Sequence, residues 1–381
     1  MAVTLGYAEP VDDEFGSEAF PSKIGGRPRW LDPTRPLAAE RVLCGGCSKP
    51  MGLLMQLYAP EDAPEDAFHR MLYVFICRNG ACHAGPARDC MRVVRAQLPE
   101  ANAVYRAEPG AGGDDDDDDD DDNIKWVPAQ GVKAAPTCVV CGLLGNKRCS
   151  GCRGRAYCSR GHQVADWDAG HRAQCSGGAA TADHARRLLA AVYPERVIAS
   201  EEEDDDDDDD DSEGEDTECV QAADMALVPA TGERAEDSEV EVDPAFLAFQ
   251  RRIRKNPDQV IRYGRSGAAD GEALFVSAGG QPTGSGDIPD CGQCGAGRQF
   301  EFQIMPQMLN HLGLDAGSAI DWGTLLVYSC PRSCSGGPGG YADEVVWRQG
   351  FSAHGIGEKY LRAFHGGDSG ALTRQFETLD V

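Results

Sequence analysis

Cys44-Gly-Gly-Cys47 near the N-terminus recurs as Cys291-Gly-Gln-Cys294 near the C-terminus, and the residues that follow the two motifs correspond. In each case a glutamine, Gln56 or Gln303, stands nine residues after the second cysteine. A later apolar run then leads into a second pair of cysteines. Self-similarity of this kind indicates a duplicated structural unit. We therefore expect two related halves.

Each half supplies two cysteine pairs with the spacing of a four-thiolate zinc site. The first set is Cys44, Cys47, Cys77 and Cys82, and the second is Cys291, Cys294, Cys330 and Cys334. Buried thiols that only fill the fold are the alternative interpretation, and His83 or Cys90 could compete with Cys82 as a ligand. A closed four-ligand set would hold zinc in a structural rather than a catalytic role.

A third pattern lies between the halves, in residues 138–175. Its eight possible ligands are Cys138, Cys141, Cys149, Cys152, Cys158, His162, His171 and Cys175. Eight ligands suffice for two tetrahedral Zn2+ ions. The segment is too short to bury a useful core, so metal must supply its folding energy. Redox-active cysteines are the alternative, and eight ordered ligands favour zinc.

The paired C-x-x-C steps of this segment, followed by Tyr157-Cys158-Ser159, His162-Gln163 and Trp167, resemble the MYND zinc finger. The resemblance implies that the ligands interleave. One zinc would be held by Cys138, Cys141, Cys158 and His162, and the other by Cys149, Cys152, His171 and Cys175. The family usually has cysteine at the position of His162, and imidazole is an ordinary zinc ligand.

Sixteen cysteines in 381 residues, grouped largely as C-x-x-C pairs, are typical of an intracellular zinc protein rather than of a disulfide scaffold. The first twenty residues contain acidic residues and no apolar run, so we expect no signal peptide. No apolar stretch approaches the roughly 18 residues of a membrane span. The sequence therefore predicts a protein of the cytoplasm and nucleus with no membrane partner.

The formal net charge of -27 is concentrated in two acidic tracts, residues 114–122 and 201–211, which together hold twenty acidic residues. Runs of like charge repel one another and favour disorder. They could be solvated spacers, or they could imitate nucleic acid and hold a basic protein. The same charge argues against direct binding of nucleic acid, because phosphate contacts need a basic surface.

These features predict an α+β fold that is mainly β, with two duplicated zinc-clipped units, a small inserted zinc finger and disordered acidic linkers. The expected segments are a repeat unit at 1–110, an acidic linker at 111–137, the finger at 138–175, a helix with a second acidic linker at 176–240, and a second repeat unit at 241–381. We expect the two repeats to pack together as a pseudo-symmetric body, with the finger looped out and isolated by the linkers.

Local patterns predict several elements. The expected strands are 52–58, 71–77, 298–304 and 325–329, the last two pairing with each other. Period-two alternation in 298–304 places Phe300 and Phe302 on one face. The expected helices are 182–192 and 244–255, and the second has Pro244 in its first turn.

Several unrelated motifs outside the finger coincide. They are SKIGGRPRWLDP at 22–33, FHRMLYVF at 68–75, NPDQVIRY at 256–263, DIPDC at 287–291, FEFQIMP at 300–306 and DWGT at 321–324. Together they resemble the programmed cell death protein 2 family, closest to its MYND-containing branch and related to the 20S rRNA accumulation protein 4. The resemblance covers both repeat units and the finger.

The resemblance implies a dedicated chaperone that binds a basic small-subunit (40S) ribosomal protein of the uS5 type (eukaryotic S two) and accompanies it in ribosome biogenesis. A strong negative charge suits such a client. The alternative is an adaptor that uses the MYND finger to recruit proteins in nuclear transcriptional or cell-death regulation. A lysine methyltransferase is the third class considered. The other units lack a cofactor-binding signature and a nucleophile–base pair, so we expect no enzyme.

Overall fold

The computed structural model describes residues 3–12, 15, 19–109, 124–179, 181–203, 243–265, 273–284, 286–315 and 317–350. Its strands are β1 (Thr4–Glu9), β2 (Lys23–Ile24), β3 (Gly52–Tyr58), β4 (His69–Ile76), β5 (Met91–Leu98), β6 (Tyr105–Pro109), β7 (Ile124–Pro128), β8 (Lys147–Arg148), β9 (Ala156–Tyr157), β10 (Arg196–Glu202), β11 (Gln259–Tyr263), β12 (Gln299–Ile304), β13 (Thr324–Ser329) and β14 (Tyr341–Gln349). Its α-helices are α1 (Ala87–Cys90), α2 (Arg160–Asp166), α3 (Arg172–Cys175), α4 (Ala182–Leu189) and α5 (Pro244–Lys255).

Ten strands close one antiparallel barrel in the order β1-β10-β2-β3-β4-β5-β14-β13-β12-β11. Strands β2 to β5 form one meander and β11 to β14 form another, and the two meanders meet directly at the β5–β14 seam. On the other side of the barrel, β1 and β10 lie between the two meanders and pair with each other. The N-terminal strand β1 pairs with β11 of the second meander, whereas β10 pairs with β2 of the first, so the two strands are exchanged between the halves. The two predicted repeat units are therefore not separate domains, because their strands share one hydrogen-bonded barrel.

The two meanders correspond in detail. A β-bulge interrupts the β3–β4 pairing between Leu53 and Met55, and another interrupts the β12–β13 pairing between Phe300 and Phe302. Each bulge begins nine residues after the first cysteine of its half. A bulge adds one residue to a strand and re-aims the side chains beyond it.

The second bulge overturns one expectation. Phe300 pairs with Tyr328 and Phe302 pairs with Val327, so their partners are adjacent residues of β13. Adjacent residues of a strand point to opposite faces. Phe300 and Phe302 therefore lie on opposite faces of the sheet, and the prediction that they share one was wrong.

The glutamine shared by both sequence motifs has the same task in each half. Gln56 accepts a hydrogen bond from the amide of Arg29 at 2.9 Å and donates to the carbonyl of Pro21 at 2.9 Å. Gln303 accepts from the amide of Leu274 at 2.8 Å and donates to its carbonyl at 3.3 Å. Both side chains are buried. Each glutamine thus fixes the backbone of a segment that packs against its meander, where an unpaired backbone group would be costly.

The predicted helices and strands are present, and two linker expectations were wrong in part. Helices α4 and α5 lie within the predicted ranges, and β12 pairs with β13 as expected. Residues 124–128, expected to be linker, form β7 and pair with β6. Residues 196–202, also expected to be linker, form β10 of the barrel, because pairing with β1 and β2 satisfies their backbone groups. Residues 114–122 and 204–211 of the acidic tracts lie outside the described residues.

Antiparallel pairing fixes which segments share an end of the barrel. At one end, here called the upper end, β1, β2, β4, β12 and β14 begin and β3, β5, β10, β11 and β13 end. The other end is called the lower end. Buried side chains such as Tyr73, Phe302 and Trp322 contribute to the core of this body. No helix in the described ranges has the length and apolar character needed to cross a membrane.

Candidate metal centres

The first cysteine set lies at the lower end. The Sγ atoms of Cys44, Cys47, Cys77 and Cys82 all lie within 4.8 Å of one another. One pair precedes β3 and the other follows β4, so the pairing of these strands brings the four thiols together. Burial raises the pKa of the Cys44 thiol, but hydrogen bonds, foremost from the Cys47 amide, outweigh burial and lower that pKa to about 7. At Cys44 these hydrogen bonds favour the thiolate that zinc requires, whereas burial raises the pKa values of Cys77 and Cys82.

The second set repeats this arrangement at the upper end. Its members are Cys291, Cys294, Cys330 and Cys334, again within 4.8 Å. The Sγ atoms of Cys291 and Cys334 are 3.5 Å apart, as are those of Cys294 and Cys330. Burial raises the pKa of the Cys291 thiol, and the amides of Cys294 and Gln293 lower it to about 7 overall. The two halves therefore present equivalent thiol clusters at opposite ends of the barrel.

The finger brings its eight residues together as two interleaved sets. The first consists of Cys138, Cys141, Cys158 and His162, and the second of Cys149, Cys152, His171 and Cys175. His162 presents Nδ1 at 3.2 Å from the Cys158 sulfur, whereas His171 presents Nε2 at 3.4 Å from the Cys149 sulfur. Cys149 and Cys152 lie in the loop between β8 and β9, whereas Cys158 follows β9 and His162 lies in α2.

The donor spacing fits zinc. Zn–S bonds of about 2.3 Å in a tetrahedron place two sulfur atoms about 3.8 Å apart. The sulfur atoms of Cys141 and Cys158 are 3.5 Å apart and those of Cys149 and Cys175 are 3.7 Å apart. Each set offers four protein ligand atoms, which is the composition of a closed structural site.

A buried carboxylate, which the sequence analysis missed, braces the second finger set. Asp166 accepts hydrogen bonds from the Tyr157 hydroxyl at 2.7 Å and from Arg155 at 3.0 Å, and it lies 2.7 Å from Nε2 of His184. His184 belongs to α4, so this carboxylate ties the following helix to the finger. The other ring nitrogen of His184 lies 2.8 Å from the amide nitrogen of Gln174, next to a ligand.

The finger is docked on the barrel segment that precedes β3, which contradicts the expectation that it is looped out. The Trp30 indole donates to the Gly142 carbonyl at 2.9 Å, and the amide of Leu144 donates to the carbonyl of Leu37 at 2.9 Å. A Cβ at Gly142, where φ is +78°, would lie 2.9 Å from Arg27. This close approach needs glycine, and the linkers do not isolate the finger.

The two competing ligands of the first set take other roles. The Nε2 atom of His83 lies 2.7 Å from the carbonyl oxygen of Cys77. Cys90 is fully buried, and its carbonyl accepts a hydrogen bond from the amide of Cys77 at 2.8 Å. Both residues therefore hold the Cys77 backbone in place. Cys219 lies outside the described residues.

Buried ion pairs connect the halves, and sequence reasoning missed them too. Arg70 of β4 donates to Glu301 of β12 through Nη2 at 2.7 Å, and both side chains are fully buried. Burial raises the pKa of the Glu301 carboxyl, but the Arg70 charge outweighs burial and lowers that pKa to about 2. Glu61 pairs with Arg70 and Arg265. An arginine inside an apolar strand was the available signal, because buried charges need partners.

Comparison with known proteins identifies the family to which this chain belongs. Family models match residues 2–111 as the N-terminal domain of programmed cell death protein 2, residues 243–350 as its C-terminal domain, and residues 138–175 as a MYND finger. The chain belongs to the programmed cell death protein 2 family. As a family member with a MYND finger, it carries a zinc-finger module and further Cys/His sets suited to zinc.

Programmed cell death protein 2 of Rattus norvegicus is 36% identical over 365 residues, covering 92% of this chain and 96% of the relative. Its counterpart in Mus musculus is 38% identical over 349 residues, covering 91% and 96%. A more distant relative, the Probable 20S rRNA accumulation protein 4 of Schizosaccharomyces pombe, is 31% identical over 98 residues, covering 24% of each chain. No solved structure matches the chain.

Proposed function

We propose that this protein is a dedicated chaperone and assembly factor for a small-subunit (40S) ribosomal protein of the uS5 type (eukaryotic S two). It acts in ribosome biogenesis, in the cytoplasm and nucleus, and is not an enzyme. Family membership along nine tenths of the chain supports the proposal, as does a relative named for the accumulation of 20S rRNA.

The observation that carries the proposal is the charge. Two tracts hold twenty acidic residues, and the net charge is -27. A ribosomal protein without its RNA exposes unpaired positive charge, which an acidic partner can screen. Complementary charge of this kind speeds encounter and excludes other acidic partners more than it sets final affinity.

The scaffold that carries this charge is held by metal. We propose that the four Cys/His sets bind four Zn2+ ions, with the sixteen side chains named above as ligands. Each set supplies four ligands, so the ions would stabilise the fold and leave no position for a substrate. We also propose that the two meanders are copies of one unit, since their bulges, glutamines and cysteine pairs coincide.

The test is co-purification of partners from growing cells, with mass spectrometry, followed by depletion of the protein. We expect the uS5-type ribosomal protein to co-purify, and depletion to lower its solubility and the level of small subunits. Replacing residues 114–122 and 201–211 by Gly/Ser should slow association and reduce its salt dependence while dissociation changes little. Unchanged client solubility and small-subunit levels after depletion would refute the chaperone proposal.

A second candidate function is a peptide-binding adaptor, which the surface of the finger favours. Val164 and Trp167 lie in successive turns at the end of α2 and are 49% and 38% exposed. Exposed apolar side chains of this size can serve as an interaction site. A Val164→Glu variant should abolish partner binding if the adaptor function is correct. The same variant should leave binding of the ribosomal protein unchanged if the chaperone function is correct.

A further inference from the structure

A cavity of about 220 Å³ lies at the upper end of the barrel, between β1, β3, β10 and β11. Ile198 and Ile261 contribute apolar walls, and Ser200, Tyr58 and Tyr263 also line it. It is partly open to solvent, and it belongs to none of the four Cys/His sets.

The volume of the cavity limits the size of the side chain that it can hold. An apolar protein cavity of roughly 150 Å³ accepts benzene. The upper-end cavity therefore has room for one ring-sized or branched apolar side chain. A glycine in β1 contributes to its shape, because a Cβ at Gly6 would lie 2.9 Å from Ile198 and 3.3 Å from Ile261.

Exposed acidic side chains lie at the same end of the barrel. Asp62, Glu65 and Asp66 lie exposed in the loop that follows β3, and Glu201 and Glu202 are exposed at the end of β10. The second acidic tract thus begins in a strand that ends beside the cavity.

The hairpin that leads into the first acidic tract packs against the upper end as well. The ring centroid of Trp126 in β7 lies 4.4 Å from that of His69, the first residue of β4, and 5.9 Å from that of Phe68. Two arginines of this end are engaged by partners, because Arg70 pairs with Glu301 and Arg265 pairs with Glu61. Asp66 accepts a hydrogen bond from the Ser335 hydroxyl. Among the described residues, Asp62, Glu65, Glu201 and Glu202 form no ion pair, so these four carboxylates can meet an external cation.

We infer that the upper end of the barrel is the docking surface for a basic, extended polypeptide segment. The segment inserts one apolar side chain into the cavity and places its Lys and Arg side chains against the surrounding acids. A second copy of this chain would bring the same negative charge and be repelled. The inference rests on the proposed function, since the segment would belong to the ribosomal client.

The cavity is tested by filling it. Binding of the purified uS5-type ribosomal protein to the full chain is compared for wild type, Ser200→Trp and Ala134→Trp, a control at an exposed residue outside the cavity. We expect Ser200→Trp to weaken binding about thirtyfold, the loss typical of a buried anchor. The control should bind like wild type, and unfolding curves establish that both variants are folded.

The charge is tested with matched triple variants that keep the cavity. The upper-end variant is Asp62→Asn, Glu65→Gln and Glu202→Gln. The lower-end control removes the same charge from exposed residues outside the strands, with Glu40→Gln, Asp258→Asn and Asp315→Asn. We expect the upper-end variant alone to lower the association rate, by about fivefold at low salt, and to reduce its salt dependence.

The outcomes separate the two proposals. If wild type binds the ribosomal protein but Ser200→Trp binds equally well and both triple variants behave alike, the docking surface is wrong and the chaperone function stands. If wild type does not bind that protein, the chaperone function fails. A library of synthetic Lys/Arg-rich peptides with one varied apolar position then tests the surface, and equal retention by wild type and Ser200→Trp would overturn it.

Discussion

Arg95 of β5 and Arg348 of β14 occupy equivalent positions in the two halves, and each donates a hydrogen bond across the seam to the cysteine cluster region of the other half. Arg95 Nη2 lies 3.1 Å from the carbonyl oxygen of Cys334. Arg348 Nη2 lies 2.7 Å from the carbonyl oxygen of Gly85, three residues beyond Cys82. The backbone at each cysteine cluster of the barrel is therefore held by an arginine from the other half.

The register of the sheets establishes that equivalence. Leu72 pairs with Arg95 and Leu325 pairs with Arg348. The two leucines each stand five residues before the third cysteine of their set. The halves therefore stabilise one another through the β5–β14 seam as well as through the exchanged strands β1 and β10.

Replacing Arg95 tests the seam. The Arg95 side chain is fully buried and lies 2.8 Å from Glu344, whose side chain is 1% exposed. Glu344 also pairs with Arg298 at 3.0 Å. Arg95→Met should therefore lower the free energy of unfolding by about 2 kcal/mol, because the buried carboxylate loses one of its two arginine partners. Denaturant unfolding measures the loss. The double variant Arg95→Met/Glu344→Met should lose less than the sum of the single variants.

A surface pair provides the control for this prediction. Arg187 is 57% exposed and pairs with Asp183 at 2.9 Å. Exposed pairs contribute about 0 to 1 kcal/mol, so Arg187→Met should change stability little. An equal loss from Arg95→Met and Arg187→Met would show that the seam pair does not hold the halves together.

Metal content is the second prediction. Elemental analysis of the purified full chain should find four zinc ions per molecule, because four complete ligand sets are present. Cys330→Ser should reduce the content to three and destabilise the upper end of the barrel, since β13 leads into this residue. A content of two zinc ions in the wild type would show that the barrel clusters are plain thiols.

The third prediction compares substitutions in the two Cys/His sets of the docked finger. Cys141 is buried beside Gly142, which accepts the hydrogen bond of Trp30, whereas Cys152 is exposed. Cys141→Ser should release the Trp30 contact and lower the unfolding free energy of the barrel by about 1 to 2 kcal/mol. Cys152→Ser should loosen the finger alone.

Hydrogen exchange distinguishes the two variants. Amides in residues 27–37, which contact the finger, should exchange faster in Cys141→Ser and as in wild type in Cys152→Ser. Equal exchange in both variants would show that the contacts between finger and barrel are energetically negligible.

Local signals explain how much of this structure could be predicted from the sequence. The apolar runs predicted β3 and β13, and C-x-x-C spacing predicted which thiols meet, because turn residues and ligand spacing act over a few residues. The exchange of β1 and β10 could not be predicted, since pairing across long sequence separations leaves no local pattern. Glu201 was assigned to a linker for the same reason. The pairing of Arg70 with Glu301 spans 231 residues and depends on the closed barrel.

The last prediction concerns a histidine whose environment opposes protonation. His69 is fully buried, its Nδ1 lies 3.0 Å from the Tyr58 hydroxyl, and no described residue forms a hydrogen bond with its Nε2. The centroid of its ring lies 4.6 Å from that of Phe20 and 4.4 Å from that of Trp126. Burial lowers the pKa of His69 to about 4, below the value of about 6.5 for an unfolded chain.

The sign of the effect follows from proton binding. Between about pH 6.5 and 4 the unfolded chain takes up a proton at His69 and the folded chain does not, so unfolding becomes more favourable as pH falls through this window. Above about pH 6.5 His69 is neutral in both states, and the unfolding free energy keeps its full value with respect to this residue. Wild type should therefore lose about 2.4 kcal/mol more than a His69→Asn variant between pH 7 and 4.5.

Asparagine is the informative replacement, because its side-chain oxygen can accept the Tyr58 hydrogen bond without titrating. Protonation of the cysteine sets is common to both proteins and cancels in the comparison of their unfolding free energies. His311, whose pKa is also lowered by burial but which is partly exposed, provides the matched control. His311→Asn should change the pH dependence less than His69→Asn does. Parallel pH profiles for wild type and His69→Asn would show that His69 is protonated equally in the folded and unfolded chains.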